Sequence, residues 1–340
     1  MYYIKNYISL DFKVPVVSTV LEFKDIIGAI KTRWSINRNN YKVNPGLYAV
    51  GMPDKTSEIF VSANYKLSFD HLRRNLNKFN AWVLVLDTKG INVWCAAGKG
   101  TFGTNELISK IKNFSISDIV EHKRIIVPQL GAVGVSAHEV KKETGFNVKY
   151  GPVRASDIKV FLENKYRSDE KMRTVNFGFT DRLKLTPVEM VGHFKYFLLV
   201  LASFFILSGF KNASFSVDNT WNYGIFPVIN LIVSYIAGTV ITPVLLPWIP
   251  VRNFSFKGLL IGAILTFTLF FLNLTGNNVP ETISWFLINM AIASFTAMNF
   301  TGSSTFTSLS GVKKEMKVAV PLQIIMLSVG FIMWLTIRFI

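Results

Sequence analysis

A change of character about halfway along the chain constrains the fold more than any single motif. Up to about Thr186 the sequence reads as a basic, water-soluble protein. Beyond His193 it turns into long apolar runs with few charges. Apolar stretches follow at approximately Phe194–Phe210, Gly224–Ile249, Gly258–Gly276, Thr282–Phe300 and Val318–Ile340. Most approach the ~20 residues a helix needs to cross a bilayer's hydrocarbon core. The expectation is therefore a soluble domain over residues 1–186 and an all-α membrane domain of transmembrane helices over residues 187–340, one helix per stretch. The first stretch is short, and the second carries Pro243, Pro247 and Pro250 near its end, a break that neighbouring groups can satisfy.

The formal net charge is +16. No basic stripe interleaved with aromatics is present, which argues against nucleic acid as the partner. Lys313–Lys314 and Arg182–Leu183–Lys184 instead flank apolar runs, where a cation gains roughly 1 kcal/mol near anionic lipid. Loop charge orients the spans: Arg252, Lys257, Lys313, Lys314 and Lys317 fall on one side, and Lys211, Asp218 and Glu281 on the other. This bias puts the N-terminal domain in the cytoplasm and Ile340 across the membrane, and so places the chain as a multi-pass protein of the cell's inner membrane. The first residues, MYYIKNYISLDFKVPVVSTVLEF, lack the continuous apolar core of a signal peptide. With a single cysteine, Cys95, no intramolecular disulfide can form. No ionisable side chain lies near the middle of a span, against a transport path. Asn230, Asn273 and Asn289 read as interhelical hydrogen-bonding residues.

In the soluble half, Ala81–Asp87 has a buried-strand pattern, and Thr104–Phe114 reads as a helix with Thr104 as N-cap and Glu106 in its first turn. Arg124–Val127, Ser136–Thr144 and Asn147–Tyr150 continue as strand, helix and strand. This alternation predicts an α/β, Rossmann-like, doubly wound parallel sheet, whose ligands bind at the carboxyl ends of its strands. The loop after Asp87 is then the place for chemistry.

That loop reads TKGINVWCAAGKGTFG over residues 88–103. Gly98, Gly100 and Gly103 form G-x-G-x-x-G, which raises a nucleotide-dependent membrane oxidoreductase as an alternative. The glycines come too late after the strand for a tight turn, and no acid ends the next strand to hold a ribose. Gly98–Lys99 is not a phosphate-binding loop, because Gly100 stands where Ser or Thr belongs. Cys95 in isolation would read as a small buried hydrophobe. Here Ala96, Ala97 and Gly98 follow it and would leave bare backbone against which a large flat ligand could lie. A thiolate is a soft, electron-rich metal donor. His71, His122, His138 and His193 read as surface or helix residues, with no zinc spacing and no cysteine run for a cluster.

Asn92–Val93–Trp94–Cys95–Ala96–Ala97–Gly98–Lys99 resembles the cap-helix motif of the mercury-methylating corrinoid proteins, the larger, membrane-bound component of the microbial mercury methylation pair. The segments at residues 45–51, 64–70 and 150–154 look like that family too, as does the plan of a soluble domain followed by five spans. More distantly, the soluble half is similar to the corrinoid iron–sulfur protein of the acetyl-CoA pathway. The resemblance implies a corrinoid-binding domain over residues 1–186 that holds a cobalamin-type cobalt corrinoid against residues 92–99, with the Cys95 thiolate as lower axial ligand. It implies a methyltransferase that passes a methyl group from methyl-Co(III) to Hg(II), forming methylmercury. It also implies a ferredoxin-like partner with two 4Fe–4S clusters and a one-carbon methyl donor. Trp94 is expected to pack the cap helix onto the domain, and Asn92 to cap it or bond the thiolate. A membrane-anchored methyl carrier for another acceptor is the alternative.

Overall fold

The computed structural model describes residues 1–276, 278–303 and 309–339. Ile340, expected opposite the N-terminal domain, lies outside the described residues. The chain divides into two compact units. One comprises Met1–Thr32 and Ile36–Asn176, and the other Arg33–Ser35 and Phe177–Ile340.

The first unit is built on a seven-stranded sheet in the order β1-β2-β3-β5-β4-β6-β7. Its strands are β1 (Ile4–Ser9), β2 (Lys13–Val17), β3 (Gly46–Val50), β4 (Glu58–Ala63), β5 (Ala81–Leu86), β6 (Arg124–Val127) and β7 (Asn147–Tyr150). The helices are α1 (Phe23–Arg33), α2 (Lys66–Asn75), α3 (Val93–Gly98), α4 (Thr104–Asn113), α5 (Ile116–Ile119), α6 (Ala137–Thr144), α7 (Ile158–Glu163) and α8 (Glu170–Arg173). Strands β5, β4, β6 and β7 run parallel. The sheet as a whole is mixed rather than parallel, because β1 pairs antiparallel with β2, and β3 antiparallel with β5. For β1 and β2 the reason is chain length: parallel neighbours need a crossover of about a dozen residues or more, and the link over residues 10–12 is too short for one.

β5 is buried along its whole length, as a central strand covered on both faces must be. Trp82, Leu84 and Leu86 face one side, where Ala96, Phe102, Leu107 and Val140 close over them. Ala81, Val83 and Val85 face the other, against Phe69, Leu72 and Phe161. A buried ionic cluster lies under α2. Lys66 and Arg73 each contact both Asp25 and Asp70, at 2.5–2.7 Å.

The second unit is helical: α9 (Phe179–Leu207), α10 (Val217–Ile236), α11 (Thr242–Leu245), α12 (Phe254–Phe271), α13 (Val279–Asn299) and α14 (Leu309–Phe339). Helix α9 starts ahead of the expected boundary at Thr186 and runs through Pro187. A π turn over Ala237–Ile241 joins α10 to α11 just before Pro243, a proline that has no N–H to give the helix ladder. Among the described residues, four helical runs are long and apolar enough to cross a membrane: Phe179–Leu207, Val217–Leu245, Phe254–Phe271 and Ser310–Phe339. The expected span Thr282–Phe300 falls on α13, which is not among them. Its apolar sequence is broken by Ser284, Asn289, Ser294 and Thr296, all buried against neighbouring helices.

Small residues set the spacing in this unit. A Cβ on Gly258 would come within 2.4 Å of the Ala293 carbonyl, and one on Gly262 within 2.9 Å of the Ala293 side chain. Asn289 Nδ2 donates to Asn230 Oδ1 at 2.9 Å, and Asn230 Nδ2 to the Leu274 carbonyl at 2.7 Å. These two asparagines thus bond between elements, as their sequence context suggests. Asn273 does not: it is exposed, just past the end of α12, with φ of +56°.

Candidate functional site at the carboxyl end of β5

The backbone leaves β5 at Asp87, whose N–H donates to Glu106 Oε1 of α4 at 2.9 Å. Asp87 then accepts from the Lys89 backbone at 3.1 Å and from Lys89 Nζ at 2.6 Å. These bonds from Lys89 hold the Asp87 carboxyl below the usual carboxylate range. Lys89 and Gly90 both take positive φ, +59° and +75°, and turn the chain back over the sheet edge. A Cβ on Gly90 would sit 2.9 Å from the Asn39 carbonyl, so glycine is required there twice over. Asn64, at the end of β4, reaches up into this turn. Its Oδ1 accepts from the backbone N–H groups of Thr88 at 3.1 Å and Gly90 at 2.9 Å.

Helix α3 follows immediately. Asn92 is its N-cap, with Oδ1 accepting from the Cys95 N–H at 2.9 Å. Of the two roles expected for Asn92, the structure displays the capping one. The helix has a clear inner and outer face. Val93, Ala96 and Ala97 are buried, while Trp94, Cys95, Gly98 and Lys99 are exposed. Two expectations change accordingly. Trp94 does not pack the helix down, since 43% of it is exposed. Ala96 and Ala97 do not form an outward bare surface. They are the residues that seat the helix, and Ala96 is fully buried. The outward bare position is Gly98, where an added Cβ would meet nothing within 4 Å. Gly98 follows Cys95 by three residues, which on a helix places both on one side.

The chain after α3 locks it in place. Thr101 and Phe102 both donate their N–H groups to the Ala96 carbonyl, at 3.0 and 3.1 Å, and Phe102 is fully buried. The loop after β6 lies flush against the helix at Gly134, where a Cβ would come within 2.2 Å of the Phe102 carbonyl and 3.1 Å of Ala97 Cα. Gly98, Gly100 and Gly103 therefore do not form a tight strand-to-helix turn: α3 intervenes, and Gly103 is the N-cap of α4 rather than Thr104. Thr104 Oγ1 instead accepts from the Ser136 N–H at 2.8 Å.

The arrangement presents one sulfur on the open face of a short, capped helix at the carboxyl edge of a parallel strand. Cys95 is exposed and unpaired with any other cysteine. Among the described residues no three His, Cys, Asp or Glu side chains gather where they could hold a metal between them. His122 is engaged elsewhere: its Nε2 lies 3.0 Å from the Ser57 carbonyl, and its Nδ1 accepts from the Arg124 N–H. The sequence reading did not single out Asn64 or Gly134 for the site. Nothing in the local pattern marks either one, because each acts on residues more than twenty positions away.

Residues 16–162 match the family model described as the CO dehydrogenase/acetyl-CoA synthase delta subunit. Over 130 residues the chain is 31% identical to the acetyl-CoA decarbonylase/synthase complex subunit gamma of Methanopyrus kandleri, covering 38% of this chain and 28% of that protein. It is 29% identical over 135 residues to the corresponding subunit of Archaeoglobus fulgidus, covering 39% of this chain and 28% of that protein. The corrinoid/iron–sulfur protein large subunit of Moorella thermoacetica is 29% identical over 122 residues, covering 35% of this chain and 27% of that protein. The chain thus spans under a third of the length of these relatives, and the residues that the family model matches lie, apart from residues 33–35, in the sheet-bearing unit.

Proposed function

We propose that the N-terminal unit binds a cobalt corrinoid, that Cys95 is the lower axial ligand to cobalt, and that the protein transfers a methyl group to Hg(II). The observation that carries this reading is the exposed Cys95 on the open face of α3, within residues 16–162, which match the CO dehydrogenase/acetyl-CoA synthase delta subunit family model. A corrinoid would bring its own ring ligands to the cobalt, so the protein need offer only one donor, Cys95. The residues present fit that demand. A single soft sulfur stands outward, and Gly98 beside it leaves room for a flat ring to approach. When bound, a corrinoid supplies a cobalt centre that can carry a methyl group and release it.

The chain's own residues do the rest. Asn92 caps α3 and fixes the backbone at Cys95. Val93, Ala96 and Ala97 anchor the helix, so that the sulfur is presented by a rigid element. Cys95 would hold the cobalt as a soft sulfur donor, and a bound corrinoid would supply the methyl group for transfer to an electrophile such as Hg(II). Lys99 and Trp94 are exposed on the same short helix segment as Cys95.

The membrane unit anchors this site, with the N-terminal unit on the cytoplasmic side of the inner membrane. A ferredoxin-like partner with two 4Fe–4S clusters supplies electrons, since the chain's one cysteine cannot hold a cluster, and a one-carbon compound supplies the methyl group. The second reading, a tethered methyl carrier for another acceptor, shares the same site and differs only in the acceptor. A nucleotide-dependent oxidoreductase has less support, because the glycines lie on and after α3 rather than in a tight turn between β5 and a helix.

The test compares methylmercury formed by cells carrying wild type, Cys95→Ala and Cys95→His at matched protein level. Loss in both variants supports the proposal. Near wild-type methylation by Cys95→Ala ends the ligand assignment. If the protein binds corrinoid through Cys95 and the cells form no methylmercury, the carrier reading replaces the mercury one.

A further inference from the structure

Asn64 is 2% exposed and sits where β4 ends. Its Oδ1 accepts from the backbone N–H groups of Thr88 and Gly90, and lies 2.8 Å from Thr88 Oγ1. Its Nδ2 donates to Asp87 Oδ1 at 3.2 Å. Backbone N–H groups can only donate, so the amide has one possible orientation, oxygen toward the turn and nitrogen toward Asp87. Thr88 carries the connection onward. Its Oγ1 lies 2.7 Å from the Ile91 carbonyl, and its own carbonyl accepts from the Ile91 N–H at 3.1 Å. Asn92, which caps α3 and bonds the Cys95 N–H, is the next residue. Between them, Lys89 and Gly90 hold left-handed conformations. Such backbone persists only where its surroundings over-determine it.

We propose that Asn64 is the positioning residue for Cys95. By fixing the turn over residues 87–91, it sets where α3 begins and therefore where the sulfur stands above the sheet edge. This rests on the reading of Cys95 as a cobalt ligand and deepens it. Asn64 plays no part in chemistry and touches neither the sulfur nor the space beyond it.

The test uses the full chain in detergent, with aquocobinamide as the probe because it carries no lower base of its own. Asn64→Asp keeps an acceptor for the turn but sets a second carboxylate against Asp87. Thr88→Val removes only the hydroxyl, and Thr88→Ser restores it. Three quantities are read: aquocobinamide affinity, the visible spectrum of the bound cobalt, and the rate at which iodoacetamide alkylates Cys95 in corrinoid-free protein. The expected result for Asn64→Asp and Thr88→Val is binding weaker by about 10–100-fold, the usual effect of losing a residue that orients a metal ligand. Their spectra should shift toward that of Cys95→Ala, and alkylation rates should depart from wild type. Thr88→Ser should behave as wild type. Wild-type binding, spectrum and alkylation in Asn64→Asp would overturn the proposal. If Asn64→Asp does not fold, the same readouts on Thr88→Val decide it. A Cys95→Ala protein with the wild-type cobalt spectrum would instead sink the ligand assignment, and the alkylation rates would still decide whether Asn64 positions the sulfur.

Discussion

Ala96 and Gly98 lie two residues apart on one helix and face opposite ways, so enlarging each separates seating of the helix from its open face. Ala96 is fully buried within the cluster formed with Leu84, Leu86 and Phe102. Three extra carbons at Ala96→Leu have no space to enter, and overpacking of this kind costs about 1–3 kcal/mol. At roughly 2–4 °C per kcal/mol for a unit of this size, corrinoid-free protein should show a clear drop in melting temperature. Gly98 has open space where a Cβ would go and does not take a positive φ. Gly98→Val therefore changes the stability of the corrinoid-free protein by less than about 1 kcal/mol. Its branched side chain would stand beside Cys95 on the open face and hold a flat ring away from the sulfur. The assays are thermal unfolding of the corrinoid-free protein in detergent and titration with aquocobinamide. We expect Ala96→Leu to lose stability first, and Gly98→Val to lose affinity with stability intact. Gly98→Val that binds as wild type would refute the assignment of the outer face as the ring's seat. Ala96→Leu with unchanged stability would refute the assignment of the inner one.

Gly134→Val should lower the stability of the N-terminal unit and disturb α3, because its Cβ would press on the Phe102 carbonyl and Ala97; melting temperature and Cys95 alkylation read both effects. Burial opposes ionisation of Asp25, but hydrogen bonds from Lys66, Tyr2, the Glu22 N–H and Arg73 outweigh it and hold its pKa at about 2. Its stabilisation, about 2 kcal/mol, is complete above the ordinary value of 3.8 and is lost as pH falls toward about 2. Acid unfolding of the N-terminal unit should therefore begin at lower pH in wild type than its carboxylate content alone would give, and Arg73→Leu should raise the onset. Gly258→Leu should force α12 from α13 and lower thermal stability in detergent, as removal of close small-residue packing does. Reporter fusions at Asn219 and Lys314 should fall on opposite sides of the membrane if α13 crosses it with the four more apolar runs; the same side for both would mean that α13 does not cross.

How much of this was readable in the sequence differs by element. Strands β5, β6 and β7 and helices α4 and α6 follow from apolar runs punctuated by turn residues, and each lies close to where its pattern puts it. The strands before them do not announce their pairing. β4 slots between β5 and β6, although β5 leads to β6 in the chain, and nothing in Glu58–Ala63 states that neighbour. The antiparallel pairing of β1 with β2 follows from their short link, once both are recognised as strands. Within the site, Cys95 and its Asn92 cap are local, within three residues of each other, and so are legible. The direction Trp94 faces is not, because a helix as short as Val93–Gly98 has too few turns to show a period. Asn64 is harder still. Its bonds reach residues some two dozen positions along the chain, and only the fold brings them together.

The central claim is that Cys95 binds cobalt, and X-ray absorption at the cobalt edge of the corrinoid-loaded full chain tests it most directly. A sulfur scatterer at bonding distance in wild type, replaced by a light atom in Cys95→Ala, is the predicted result. A first shell made only of nitrogen and oxygen in the wild-type protein, unchanged by Cys95→Ala, would contradict it.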